Sequence, residues 1–204
     1  DLNLDIAYEL KSIFDKDYDF KVILTRKDDT FIPLAERANI ANKHKADLFI
    51  SIHCNTNLDR NVSGFEIYFL SEKATDSEAA ATAVLENSVI ELEGQPTKKH
   101  AMLQKMLWSM TMNEYMNEAS ELSAFISSQA NGRLKIPNRG VKQASFYVLK
   151  GTQMPSVLVE SDFLSNYAEE ARLNTKNFRT SVANSIYEGV IRYYAKKERD
   201  QSSK

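Results

Sequence analysis

The hydrophobic positions change period several times along the chain. Leu2, Ile6 and Leu10 recur at spacings of four, so the sequence opens on the apolar stripe of a helix. After the polar break Asp15-Lys16-Asp17, the run Phe20-Lys21-Val22-Ile23-Leu24-Thr25 predicts a strand by its β-branched content. Asp28-Asp29-Thr30 sets up a second helix, with Pro33 tolerated in its first turn. Leu34, Ala38 and Ala41 form its apolar face, which reaches about Lys45. Asp47-Leu48-Phe49-Ile50-Ser51-Ile52-His53 is apolar on both faces and predicts a central strand covered by helices. Ser63 to Leu70 alternates as a further strand.

From about Asp76 to Asn131 the pattern is helical, broken once at Gly94-Gln95-Pro96-Thr97. Strand character resumes at Ala144 to Leu149 and at Ser156 to Glu160. Phe178, Val182, Ile186 and Val190 mark a last amphipathic helix, and the tail Lys196-Lys197-Glu198-Arg199-Asp200 predicts a solvated end. Strands alternating with helices predict an α/β fold. It is expected as one domain, a mostly parallel twisted sheet flanked by helices, with an inserted helical segment over about 76–134. The chain has no internal repeat and no linker-like stretch.

Composition narrows the function classes. At 204 residues and 43% hydrophobic, the chain can bury one sizeable core. Its 26 basic and 28 acidic residues leave a net charge of -2, which gives no electrostatic reason to expect nucleic acid or anionic lipid. No apolar run approaches the ~18 residues of a membrane span. The single cysteine excludes an internal disulfide framework and any multi-cysteine metal site.

His53 and Glu160 stand out because each ends a buried strand, where the apolar run stops at a polar side chain. Ligands in open α/β sheets bind beyond the carboxyl ends of strands, so both residues project toward one edge. A histidine and a carboxylate there suit metal binding or shared acid–base chemistry, or simply cap their strands. Cys54 follows His53, and neighbours on a strand point to opposite faces, so it reads as a buried structural thiol. His44 and His100 lie in polar stretches and read as solvated, which leaves no metal site built from histidines alone. Met102, Met106 and Met110 recur at four, with Met112, Met116, Trp108 and Tyr115 close by. That face suits core packing or an adaptable partner surface.

Taken in order, the segments carry a resemblance. They are Asp1-Leu2-Asn3-Leu4, Val22-Ile23-Leu24-Thr25-Arg26, Leu34-Ala35-Glu36-Arg37, Ala41-Asn42, and Ala46 to Asn55. They continue through Ser63-Gly64-Phe65-Glu66, Asn138-Arg139-Gly140-Val141-Lys142, Phe146-Tyr147-Val148-Leu149, Met154 to Glu160, and Phe163-Leu164-Ser165-Asn166. Nearly the whole chain apart from its helical middle resembles the zinc-dependent N-acetylmuramoyl-L-alanine amidases, cell-wall hydrolases of the Amidase_3 type. The resemblance implies one zinc ion held by two histidines and a glutamate, with water in the open position. The second ligand histidine falls on His53 and the catalytic glutamate on Glu160. Glu160 would take the water's proton and return it to the leaving amine. The bond broken joins the lactyl group of N-acetylmuramic acid to L-alanine of the stem peptide. The implied partner is peptidoglycan and the implied location is the periplasm or cell envelope.

The sequence departs from that family in two places. The Gly-His-Gly-Gly loop with the first histidine, the glutamate ligand and the strand expected at the middle of the sheet would all fall upstream of Asp1. Residues 1–204 are therefore expected to be an N-terminally incomplete catalytic domain, inactive as written, whereas a longer parent cleaves its substrate. The scarcity of glycine, 6 in all, fits that expectation. The helical middle is also longer than in simpler members. Members regulated during cell division insert a helix there that lays a blocking glutamate over the zinc, and Glu86 in Leu85-Glu86-Asn87-Ser88-Val89-Ile90 resembles that segment, with an exposed helix residue as the equal alternative. The methionine-rich helix then becomes the candidate surface for an activator protein. Asn55, Arg37 and Arg139 are candidate substrate-binding residues, with a supporting role the leading reading: Asn55 to cap the loop, Arg37 and Arg139 to pair with carboxylates of the sheet edge. The alternative reading is a non-catalytic relative that binds cell wall or a division protein, against which a carboxylate at Glu160 weighs.

Overall fold

A computed structural model describes residues 2–17, 19–90 and 110–202. The elements in chain order are α1 (Leu2–Phe14), α2 (Leu34–Lys43), β1 (Phe49–Asn55), β2 (Phe65–Leu70), α3 (Ser77–Asn87), α4 (Met110–Arg133), β3 (Asn138–Ala144), β4 (Ser156–Phe163), α5 (Tyr167–Leu173) and α6 (Lys176–Ser202). The Gly94–Thr97 break, His100, Met102, Met106 and Trp108 lie outside the described residues.

The strands form one sheet in the order β1-β4-β2-β3, with β1–β4 and β2–β3 parallel and β2–β4 antiparallel. Helices cover both faces, as a mostly parallel sheet requires. On one face Ile50, Ile52, Phe65, Ile67, Val157 and Val159 pack with α1, α4 and α6. On the other, Phe49, Tyr68 and Leu158 pack with Leu34 and Ala41 of α2 and Ala79 and Ala83 of α3. Two glycines are dictated by close approach. A Cβ on Gly189 would stand 2.5 Å from Ile126, where α6 crosses α4. Gly64 has φ +116°, and a Cβ there would stand 2.3 Å from the Pro137 carbonyl oxygen.

Four sequence expectations change. The strand expected over Phe20–Thr25 has no pairing partner among the described residues and forms no ladder, because a strand exists only against a hydrogen-bonded neighbour. That run instead lines a groove of about 1610 Å³ together with β1, α1 and α6. Second, β1 is not central: among the described residues it pairs only with β4, and Ile50 and Ile52 reach the same groove. Third, the strand expected over Ala144–Leu149 lies earlier. β3 ends at Ala144, and Phe146 to Lys150 turn back through Leu149 N–H to Phe146 C=O and Lys150 N–H to Phe146 C=O bonds. The apolar residues there are buried by a turn, which periodicity alone does not distinguish from a strand. Fourth, the tail is solvated at Glu198, Arg199 and Asp200 as expected, but it is helical and anchored rather than a free end. Lys196 and Lys197 extend α6 and pair with Glu121 and Glu118 of α4.

Candidate active site

The parallel register sets His53 of β1 directly beside Glu160 of β4, and the antiparallel register sets Glu66 of β2 on the other side of Glu160. Residues opposite one another in a ladder share a face, so three polar side chains form a row across the sheet on the side of α2 and α3. The strands run past them, to Asn55 and Phe163, so the site sits just inside the carboxyl ends of β1 and β4.

α3 completes the site from above. Its Glu86 carboxylate lies 2.8 Å from His53 Nδ1. The other ring nitrogen, Nε2, is 2.9 Å from the Ser51 hydroxyl. Both nitrogens of His53 are thus engaged. Glu160 is fully buried, and neither carboxylate oxygen has a hydrogen-bond partner. Buried unpaired carboxylates are costly, and the protonated form is favoured. Burial first, then the charges of Glu86 and Glu66, raises the Glu160 carboxyl well above the ordinary carboxylate range. Glu86 moves the other way. Burial alone would raise it, but the His53 hydrogen bond and charge, with Arg37 behind them, hold it ionised below its usual value. One ligand atom each from His53, Glu86 and Glu160 falls within 4.8 Å of the others, and among the described residues no other metal-ligating group is so arranged.

A profile of the N-acetylmuramoyl-L-alanine amidase family, Amidase_3, matches residues 1–192. The chain belongs to this family. It is 37% identical over 193 residues to N-acetylmuramoyl-L-alanine amidase AmiA of Escherichia coli, covering 94% of this chain and 66% of that protein. It is 34% identical over 196 residues to AmiC of another Escherichia coli strain, covering 96% of this chain and 47% of that protein. The chain thus spans about half to two thirds of the length of these curated relatives. Among solved structures, the N-acetylmuramoyl-L-alanine amidase of Clostridium difficile matches with a TM-score of 0.70 at 25% identity, over 95% of this chain and 82% of that one.

The remaining residues singled out in the sequence fall at different distances from this candidate site. Arg37 of α2 donates from Nε to the Ile32 carbonyl at 2.8 Å and adds positive charge near Glu86. Arg139 pairs with Glu66 and Glu78, one step along the sheet from Glu160. Asn55 is buried, with Oδ1 accepting from the Thr56 N–H at 2.7 Å and Nδ2 without a partner. Cys54 joins the opposite core, as strand alternation requires, and burial followed by the Glu160 charge pushes its thiol up to about 12. His44 caps the C-terminal end of α2 and is exposed. Met112 packs against the cluster below α3.

Of the charged row behind the site, the sequence pointed to Arg139 as a partner for a sheet-edge carboxylate and missed Glu66 and Lys142. Glu66 accepts from the Tyr68 hydroxyl and from Arg139, and lies 3.2 Å from Lys142 Nζ. Lys142 reaches Glu78 at 3.4 Å and Asp76 at 3.8 Å. The signal was present, since Glu66 and Lys142 interrupt strand patterns at positions the alternation assigns inward. An unpaired charge is not buried there, so a partner strand bearing the opposite sign was implied.

Proposed function

We propose that this chain is the catalytic domain of a peptidoglycan hydrolase that cleaves the amide bond between N-acetylmuramic acid and L-alanine of the stem peptide. The observation carrying the reading is the side-by-side placement of His53 and a fully buried, unpaired Glu160 in the sheet of an amidase-family fold. Imidazole nitrogen and carboxylate oxygen are the donors zinc accepts, and Glu160 has spare oxygens, so the residues present fit that ion. His53 would hold it, with Glu160 beside it. When bound, zinc supplies Lewis-acid polarisation of the amide carbonyl and a lowered pKa for the attacking water. Glu160, with its raised proton affinity, removes that proton at a carboxylate oxygen and returns it to the leaving amine nitrogen. Arg37, Arg139 and Asn55 would serve the stem peptide or hold the site's walls.

The cluster contains one histidine, fewer than an ordinary zinc site uses. The edge of β1, unpaired among the described residues, and the groove beside it suit one further strand. We assign that strand and the remaining ligands to a segment N-terminal to Asp1 in the parent protein, so residues 1–204 by themselves are expected to be inactive. Glu86 is assigned as the blocking carboxylate, because it covers the face of His53 that zinc and substrate need. The activity places the protein in the periplasm or cell envelope, acting in cell division under an activator that docks on the inserted helices.

The test is release of stem peptides bearing a free L-alanine amine from purified peptidoglycan by the full-length protein, read by mass spectrometry. Release should require zinc, stop with a chelator, and be absent with residues 1–204. Zinc-independent release, or release by residues 1–204, overturns the reading.

A further inference from the structure

Glu86 reaches His53 only while α3 lies against the sheet, and among the described residues polar contacts at both ends of the helix run to β3 and the turn after it. At the N-terminal end Asp76 caps the helix through the Ala79 N–H at 2.7 Å, and Glu78 pairs with Arg139 and Lys142 of β3. At the C-terminal end Asn87 clamps the backbone beyond β3. Its Nδ2 donates to the Ser145 carbonyl and its Oδ1 accepts from the Tyr147 N–H, each at 2.8 Å. Between these anchors the buried face is small, Ala79, Thr82 and Ala83, while Val84 is 72% exposed. So little apolar area leaves the anchors a large share of the hold on this helix.

We propose that the Glu78–Arg139/Lys142 pair and the Asn87 clamp form a two-point latch that sets how long Glu86 stays on His53. The proposal rests on the reading of Glu86 as the blocking residue. Arg139 serves both the latch and the site, because it also pairs with Glu66, which lies beside Glu160 in the sheet. The charges allow a release that spares the fold. Glu66, Glu78 and Asp76 face Arg139 and Lys142, so removing the charge of Glu78 leaves two acids against two bases. Removing Arg139 would instead leave Glu66 short of a partner in the core. Release therefore begins at Glu78 or Asn87, both at the ends of α3.

The test compares Glu78→Gln, Asn87→Ala and Glu86→Gln in the full chain without metal. It reads carbethoxylation of His53 by diethyl pyrocarbonate and amide exchange of α3. His44 and the amides of β4 are the references. Glu78→Gln and Asn87→Ala should each raise both rates about five- to tenfold and leave the references unchanged. Glu86→Gln should raise the His53 rate and leave α3 exchange near that of the parent. If Glu86→Gln exposes His53 while the other two leave it protected, the latch is overturned and the blocking contact stands. If His53 stays protected in all three, the blocking contact fails and the latch falls with it. Should Glu78→Gln lose the β4 reference, Asn87→Ala decides.

Discussion

At the residue scale, two carboxylates in one site are driven apart by their surroundings. Glu160 is buried without partners and binds its proton more tightly folded than unfolded. A group of this kind costs stability as pH rises from the ordinary carboxylate range toward its raised folded value, by at most about 1.4 kcal/mol per pH unit. Glu86 has the opposite sign, since its folded pKa is depressed and its contribution is lost as pH falls through that lower value. In chelator-treated protein, denaturant titrations across pH 4–8 should show Glu160→Gln flattening the alkaline loss and leaving the acid side intact. An unchanged slope would place Glu160 in a more solvated setting than the one described. Cys54 offers a second check. With a thiol pushed up to about 12 by burial, it should resist alkylation by iodoacetamide at pH 8 and react only on unfolding, whereas rapid reaction in the folded protein would contradict its burial.

At the element scale, the fold turns on where strands find neighbours and helices find contact. Gly189 lets α6 approach α4 at Ile126, so Gly189→Ala should destabilise by about 1–3 kcal/mol in urea titration; no loss would contradict the close crossing. The same elements show what the sequence could convey. The stripes of α1, α2 and α6, and the apolar runs of β1 and β4, were legible because one periodicity and one burial pattern coincide there. Phe20–Thr25 misled because composition records strand preference and not the presence of a neighbour to pair with. Phe146 to Leu149 misled because turns also bury apolar residues when they fold back on a sheet. The pairs made by the tail lysines were not legible because their acid partners lie far away in sequence, on α4.

At the scale of the whole molecule, the site is a product of topology. His53, Glu66 and Glu160 are scattered in sequence, and only the β1-β4-β2 order sets them in one row. His53 and Glu160 could be singled out because each closes an apolar run. Their adjacency, and the contact from α3, required the register. Glu86 was marked by resemblance alone and not by any local pattern, since it is a polar residue on a helix whose pairing is settled by tertiary placement. Glu66 and Lys142 of the charged row were hidden for the same reason, with each one's partner on another element. In this arrangement His53, Glu160 and the glutamate that α3 brings down on them converge within 4.8 Å.

The most direct measurement is stem-peptide release from peptidoglycan by the full-length zinc-loaded protein, comparing Glu86→Ala, Glu160→Gln and the double variant without any activator. Glu86→Ala should raise the rate well above the parent's. Glu160→Gln should lower it by about 10²–10⁴-fold, and the double variant should stay at that low level. Undiminished release by Glu160→Gln, or no gain from Glu86→Ala, would contradict these roles.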